Sequence, residues 1–435
     1  MALLLKNAHV IDPQVGIDEV CEILIRDGVI VEVGHDLVME KGIERDLGGK
    51  VVLPGLVDMH VHLRDPGQEY KEDIATGTRA AAHGGFTDIC CMPNTNPVID
   101  TGAVVEYVRA KAAEVGKCRV HVAGACTAGE KGETLSEMGD MVAHGAVMFT
   151  DDGRGVQSAG MMRRVMDYAV QFGKAVSSHC QDESLVGKGQ INEGVESTRL
   201  GLLGWPAAGE EIQIARDIEL SALTGCPIHI QHLSSAHGLD LVRAGKANGV
   251  KVTCEVTPHH MFLNEESIGD DYNTYFKVNP PLRTAEDAQA VIDAVVDGTV
   301  DCIVTDHAPH ADHEKAREFE LAPFGMTGIE TSVGLIVGNL VNTGAITWQR
   351  MVELMSVNPR KILGIDRVAI EPGSRGDLTV IDPDLRWTVC EDDFESKSKN
   401  CGFTGWEITG RATDVYVGGY ATMEDGKITD EPIHL

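Results

Sequence analysis

Leu53-Pro54-Gly55-Leu56-Val57-Asp58-Met59-His60-Val61-His62 carries an apolar run into two histidines one residue apart. In an extended strand, residues i and i+2 point to the same side, so His60 and His62 can reach one ion together. Alone, the pair reads more readily as two polar residues at a strand end. Its weight comes from what recurs downstream. Apolar strand candidates at 56–60, 86–91, 119–123, 146–149, 175–179, 228–232, 252–256 and 301–304 make a set of eight. Helix-like stretches at 73–83, 159–172, 210–224 and 285–296 lie between them. Alternating β and α of this length predicts a parallel sheet, and eight units predict a closed α/β barrel, the (β/α)8 TIM type. The competing fold is an open doubly wound sheet. No Gly-x-Gly-x-x-Gly opens a helix after the first strand, which weakens its nucleotide-binding version.

Both chain ends read as β-structure. Glu22-Ile23-Leu24-Ile25-Arg26-Asp27-Gly28-Val29-Ile30-Val31-Glu32-Val33 places an Asp-Gly turn between apolar arms. In the tail, Gly376-Asp377-Leu378-Thr379-Val380-Ile381 and Val415-Tyr416-Val417-Gly418 read as strands, and Met423-Glu424-Asp425-Gly426-Lys427-Ile428 as another turn. Neither end is long enough for a good sheet of its own. Residues 1–53 and 366–435 are therefore expected to build one small β-sandwich domain beside a catalytic barrel at 54–365.

Composition bounds the chemistry. The 435 residues are 43% hydrophobic and 24% charged, as in a soluble globular protein. Lys plus Arg number 37 against 67 Asp plus Glu, so a net charge of −30 repels nucleic acid and anionic lipid. The same field repels a carboxylate substrate, which must then be held by a local cation. Arg64, directly after the second histidine and Leu63, is the candidate. The opening apolar run is too short for a signal peptide, and no run approaches the ~18 residues of a membrane span, so a cytoplasmic location is expected. Eleven cysteines, an odd number with no CxxC spacing, read as reduced thiols rather than a disulfide framework. Cys254 and Cys302 fall on strands leading towards the site.

Barrel sites form at the C-terminal strand ends. Here those ends read His60-Val61-His62, Phe149-Thr150-Asp151-Asp152-Gly153, Ser177-Ser178-His179, Gln231-His232 and Thr305-Asp306-His307. Singly, His179 or His232 reads as a hydrogen-bonded core histidine. Together, four histidines and two carboxylates can hold two divalent ions, with the strand-four carboxylate between them. Zinc suits such ligands best, and geometry decides among zinc, cobalt and manganese. Two ions sharing a water lower its pKa towards ~7, which points to hydrolysis. Asp306 stands where a ligand can also accept the proton of the attacking water.

These residues sit in motifs that carry a resemblance: Asp58-Met59-His60-Val61-His62-Leu63-Arg64-Asp65-Pro66-Gly67, Met92-Pro93-Asn94-Thr95, Phe149-Thr150-Asp151-Asp152-Gly153, Asn279-Pro280-Pro281-Leu282-Arg283, Thr305-Asp306-His307-Ala308-Pro309-His310 and Pro323-Phe324-Gly325-Met326-Thr327-Gly328. The chain resembles the amidohydrolase superfamily and, within it, is similar to dihydroorotases of the bacterial class I type. The resemblance implies a zinc-dependent interconversion of (S)-dihydroorotate and N-carbamoyl-L-aspartate in pyrimidine biosynthesis. It implies one ion on His60, His62 and Asp306 and a second on His179 and His232. Many superfamily members bridge the ions with a carboxylated lysine, but no lysine lies between Lys131 and Lys174. An aspartate would bridge instead; Asp151 or Asp152 serves on sequence alone, and the resemblance favours Asp152. It assigns the substrate carboxylate to Arg64, Asn94 and His310, with His62 also facing the substrate, and the ring to Asn279 and the Phe324-Gly325 backbone. It carries further expectations: a homo-oligomer and, as an open case, a complex with aspartate transcarbamoylase. The charged stretch 311–320 reads equally as a lid or a solvated helix. The alternatives are a hydantoinase, dihydropyrimidinase or allantoinase, which needs no cation for a ring carboxylate, and a non-catalytic subunit of that transcarbamoylase, which would lack the ligands.

Overall fold

The computed structural model describes residues 2–430. Its centre is eight strands: β1 (Leu56–Val61), β2 (Phe86–Cys91), β3 (Arg119–Gly124), β4 (Ala146–Phe149), β5 (Val176–Ser178), β6 (Ile228–Ile230), β7 (Val252–Val256) and β8 (Cys302–Ile303). They pair in chain order, every pair parallel. Val61, the last residue of β1, forms a parallel bridge with His307, just beyond β8, and the His62 amide donates to the His307 carbonyl at 2.9 Å. That contact closes the sheet into a barrel.

The strands are apolar because they are covered on both faces. Val57, Met59, Cys90, Ala123, Met148 and Cys302 pack strand against strand in one cluster. Leu56, Phe86, Ile89, Val176 and Ile228 belong to a larger cluster that also holds helix residues such as Ile74, Val105, Met162, Ile214 and Val291. Neighbours Leu56 and Val57 thus serve different clusters, as a period of two requires. The helices start where the sequence says they should. Asp73 caps Ile74–His83 by accepting from the Thr76 amide, and Thr284 caps Ala285–Asp297 by accepting from the Asp287 amide. Gly298 ends the latter at φ +90°, a left-handed stop that suits glycine.

The two chain ends share a nine-stranded sheet. Val51–Pro54 is the seam: it runs parallel to Ala2–Asp12 and antiparallel to Leu378–Thr388. The hairpin at Asp27-Gly28 has φ of +48° and +82°, as its tight turn demands. Leu5, Val10, Ile23, Ile30, Val52, Leu378, Val380 and Tyr416 form one buried cluster drawn from both ends. The sheet is tied to the barrel floor, where Gly55 donates to the Asp377 carbonyl at 2.9 Å and Thr379 Oγ1 to Gly85 at 2.7 Å. Met1 and residues 431–435 of the expected end segments lie outside the described residues. No helix among the described residues is long and apolar enough to cross a membrane. All eleven cysteines are free thiols and only Cys390 is exposed. Cys302 lies in the strand cluster and Cys254 in the strand–helix cluster, both packed as small apolar groups.

Candidate active site

The strand ends converge as the chemistry requires. His60 Nε2 lies 3.4 Å from Asp152 Oδ1 and 3.5 Å from Asp306 Oδ1, and His62 Nε2 lies 3.0 Å from Asp306 Oδ1. His179 Nδ1 is 3.7 Å from Asp152 Oδ1 and 2.8 Å from His232 Nε2, and His232 Nε2 is 4.0 Å from Asp152 Oδ1. Two overlapping triads, His60–His62–Asp306 and His60–Asp152–His232, have donor atoms close enough to share an ion. His60 Nε2, Asp152 Oδ1 and His232 Nδ1 are buried without a hydrogen-bond partner among the described residues. Each such group costs about 1–3 kcal/mol, and two of them, His60 Nε2 and Asp152 Oδ1, face each other at 3.4 Å, which fits a cation rather than a packed core. Arg64, His232 and Asp306 have φ of +59°, +31° and +46°, a left-handed backbone that non-glycine residues adopt at a cost and that clusters at functional sites.

Asp151 and Asp152 part company here. Asp151 turns into the fold and accepts from the Cys126 and Thr127 amides at 2.8 and 3.0 Å and from Thr127 Oγ1 at 2.5 Å. Asp152 alone faces the histidines. Burial opposes its ionisation, but the histidine cluster, His60 foremost, outweighs burial and holds the carboxyl well below the usual range. For His232, burial and then the neighbouring His179 and His60 push the pKa well down, so a neutral imidazole, the metal-binding form, is favoured.

Several supporting residues escaped the sequence reading. Glu255, at the end of β7, takes His60 Nδ1 at 2.5 Å on one oxygen and His229 Nε2 at 3.0 Å on the other. Despite burial, the histidines hold its carboxyl at about 2. It therefore fixes the His60 tautomer and aims Nε2 at the cluster. Asp58 clamps β1 to the end of β8, accepting from the His60 and Thr305 amides, both at 3.2 Å, and from Thr305 Oγ1 at 2.5 Å. Gln181 Oε1 accepts from His179 Nε2 at 3.0 Å and from Asn279 Nδ2 at 2.8 Å. The available signal was an acid inside a buried apolar strand, at Asp58 and at Glu255. A Glu255→Gln enzyme keeps the shape but loses the charge that holds the His60 proton. Its metal affinity is expected to fall about 10–100-fold in a chelator competition; unchanged affinity would remove Glu255 from ligand orientation.

Beside the cluster opens a cavity of about 200 Å³, lined by His62, Arg64, Asn94, Asp152, Asn279, Asp306, His310, Phe324 and Gly325 among others. Every residue expected to face the substrate is there. Arg64 is 8% exposed and its Nε donates to the Pro309 carbonyl at 3.2 Å, so it is no surface ion pair with Asp65. Asp65 instead pairs with Lys111 at 2.6 Å. Asn94 braces the ligands, its Oδ1 accepting from His62 Nδ1 at 3.0 Å and its Nδ2 donating to Asp152 Oδ2 at 3.1 Å. His310 Nε2 donates to the Phe324 carbonyl at 2.8 Å, and Lys71 Nζ donates to Nδ1 at 3.4 Å. Burial first, and the Arg64 and Lys71 charges after it, bring His310 down to about 3 against the pull of Glu314, so it is neutral. The charged stretch contributes one short helix, Asp312–Lys315, whose Glu314 meets Lys71 at 3.0 Å and the Tyr70 hydroxyl at 3.1 Å.

A family model described as "Dihydro-orotase-like" matches residues 49–238. A dihydroorotase from Geobacter metallireducens is 50% identical over 420 residues, 96% of this chain and 99% of that protein. Another, from Geobacter sulfurreducens, is 51% identical and covers 98% of this chain and all of its own length. An L-hydantoinase (dihydropyrimidinase) from Arthrobacter aurescens superposes with a TM-score of 0.89 at 26% identity, covering 99% of this chain and 97% of that one. Barrel, ligand cluster and relatives together define a metal-dependent cyclic amide hydrolase of the amidohydrolase type. Within that class, the chain belongs to the dihydroorotase family.

Proposed function

We propose that the protein interconverts (S)-dihydroorotate and N-carbamoyl-L-aspartate, the ring-forming and ring-opening reaction of de novo pyrimidine synthesis. The observation that carries this reading is Arg64, a buried guanidinium lining the same cavity as the ligand cluster in a protein of net charge −30. A ring carboxylate needs that cation, whereas a hydantoin does not.

His60, His62 and Asp306 would hold one divalent ion and His179 and His232 a second, with Asp152 between them; zinc suits this nitrogen-rich set. When bound, the ions polarise the ring amide carbonyl and make a water acidic enough to attack near neutral pH. Asp306 accepts the proton of that water and delivers it to the ring nitrogen as the carbon–nitrogen bond breaks. Cyclisation runs the same proton path backwards. Arg64 grips the carboxylate, helped by Asn94 and His310, while Asn279 and the Phe324-Gly325 backbone face the ring amides. The reading assigns catalysis to residues 54–365, flanked by a β-domain of 1–53 and 366–435. It also makes the protein a cytoplasmic homo-oligomer, with aspartate transcarbamoylase as its candidate partner.

Ring opening of dihydroorotate, followed by loss of ultraviolet absorbance, tests the proposal before chelation, after it and after zinc is restored. Turnover that a chelator abolishes and zinc restores is expected. No turnover in any metal state, with the fold intact, overturns the assignment. Equal turnover of dihydrouracil, which has no ring carboxylate, would favour the hydantoinase-type reading that the structural neighbour supports.

A further inference from the structure

Two lysines are almost wholly buried beside the cavity: Lys277 and Lys315 are each 2% exposed. Lysine is seldom buried without a partner, because desolvating an ammonium costs several kcal/mol. Here no carboxylate is bonded to either amine among the described residues; the partners are backbone carbonyls. Lys277 Nζ donates to the carbonyls of Phe319 at 2.7 Å, Glu320 at 3.2 Å and Ala322 at 2.7 Å. Lys315 Nζ takes up the next stretch, donating to Pro323 at 2.9 Å and Gly325 at 2.8 Å. Five carbonyls from seven consecutive residues thus converge on two ammonium groups.

The gathered segment carries a wall of the cavity. Phe324 and Gly325 line it, the Gly325 amide donates to the Lys277 carbonyl at 2.8 Å, and Lys277 Nζ sits 4.6 Å from the centre of the Phe324 ring. Gly325 has φ of +130°, and a Cβ there would lie 2.9 Å from the Ala308 carbonyl and 3.1 Å from His310 Nε2. The segment is therefore pressed against the His310 loop with no slack. Burial, and then the charge of Lys277, bring the Lys315 amine down to about 7, while burial brings Lys277 to about 8. A turn that merely needed to exist would not require two such groups.

We propose that Lys277 and Lys315 are positioning residues that set the place of the Phe324–Gly325 wall by gathering the carbonyls of residues 319–325. This rests on the proposed substrate reading, because the wall is read as the face that meets the pyrimidine ring. Neither lysine touches substrate in this scheme. Without them the wall drifts, and the loss falls on binding rather than on proton transfer.

The test uses the full-length zinc enzyme with Lys277→Met and Lys315→Met made separately. Each is expected to raise KM for dihydroorotate about 10–100-fold, with kcat held within about threefold. Amide hydrogen exchange in residues 319–325 is expected to speed up while the barrel strands keep their protection. Faster exchange with an unchanged KM overturns the proposal, since the wall would then not matter to substrate. A fall in kcat at constant KM overturns it as well, by moving the lysines into the chemistry. Should Lys277→Met fail to fold, Lys315→Met, which frees two carbonyls instead of three, carries the same test. A wild-type enzyme inert towards dihydroorotate would sink the substrate reading alone, and unchanged exchange in the variants would still overturn the clamp.

Discussion

An Asp306→Asn enzyme is expected to keep its metal and lose about 10²–10⁴-fold in kcat. Asparagine preserves the side-chain volume and one ligand oxygen, so His60 and His62, 3.5 and 3.0 Å from Asp306 Oδ1, retain a third donor. What it cannot do is take up a proton. The residue has the right place for that task, because it reaches the ligand cluster and the substrate cavity at once. Its backbone, at φ +46°, turns the chain sharply after β8 and presents the carboxylate there. Metal content and kcat measured on the same preparation decide the matter. Turnover near the wild-type level would remove Asp306 from proton transfer, and loss of metal along with turnover would reduce it to a ligand.

Arg64→Met should damage the use of dihydroorotate above all. Truncating one partner of a buried, hydrogen-bonded charge pair costs about 2–5 kcal/mol, which is a loss of roughly 30- to 4,000-fold in kcat/KM. Methionine keeps much of the apolar stem, so the change removes charge and hydrogen bonds more than volume. Burial lowers the Arg64 pKa, with Asp306 and Asp152 opposing, yet a guanidinium remains charged at working pH. The carboxylate would then face Asp152 and Asp306 with no nearby arginine in the cavity lining. Turnover of dihydrouracil, which offers no carboxylate, should change little. An unaltered catalytic efficiency for dihydroorotate would refute the carboxylate role.

The barrel was legible because its signals are local. Each strand is a short apolar run, helices such as Ile74–His83 and Ala285–Asp297 have their own caps, and the observed β1 to β8 fall within two residues of the expected segments. The hairpin at Asp27-Gly28 was legible for the same reason, since a tight turn selects residues that tolerate positive φ. Ligand types at five strand ends then followed from where barrels build their sites. The charged stretch 311–320 was harder to read. It reads equally as a lid or a solvated helix, whereas Lys315 and Phe319 turn inward, Lys315 onto the Pro323 and Gly325 carbonyls and Phe319 against Ile191, Leu200 and Ile268.

Adjacent Asp151 and Asp152 are chemically identical, and only the family resemblance, not periodicity or residue type, ranks Asp152 first. Their fates differ because the turn after β4 sends one side chain to the Thr127 loop and the other to the histidines. Glu255 reads as a blemish in an apolar strand until β7 brings it against His60, which is 195 residues away in the chain. By itself, the sequence determined the alternation of strands and helices, the barrel and the inventory of ligands, because those depend on periodicity and residue type. Tertiary structure alone decided which oxygen meets which nitrogen, since that depends on strand register, on backbone turns such as those at His232 and Asp306, and on partners distant in sequence.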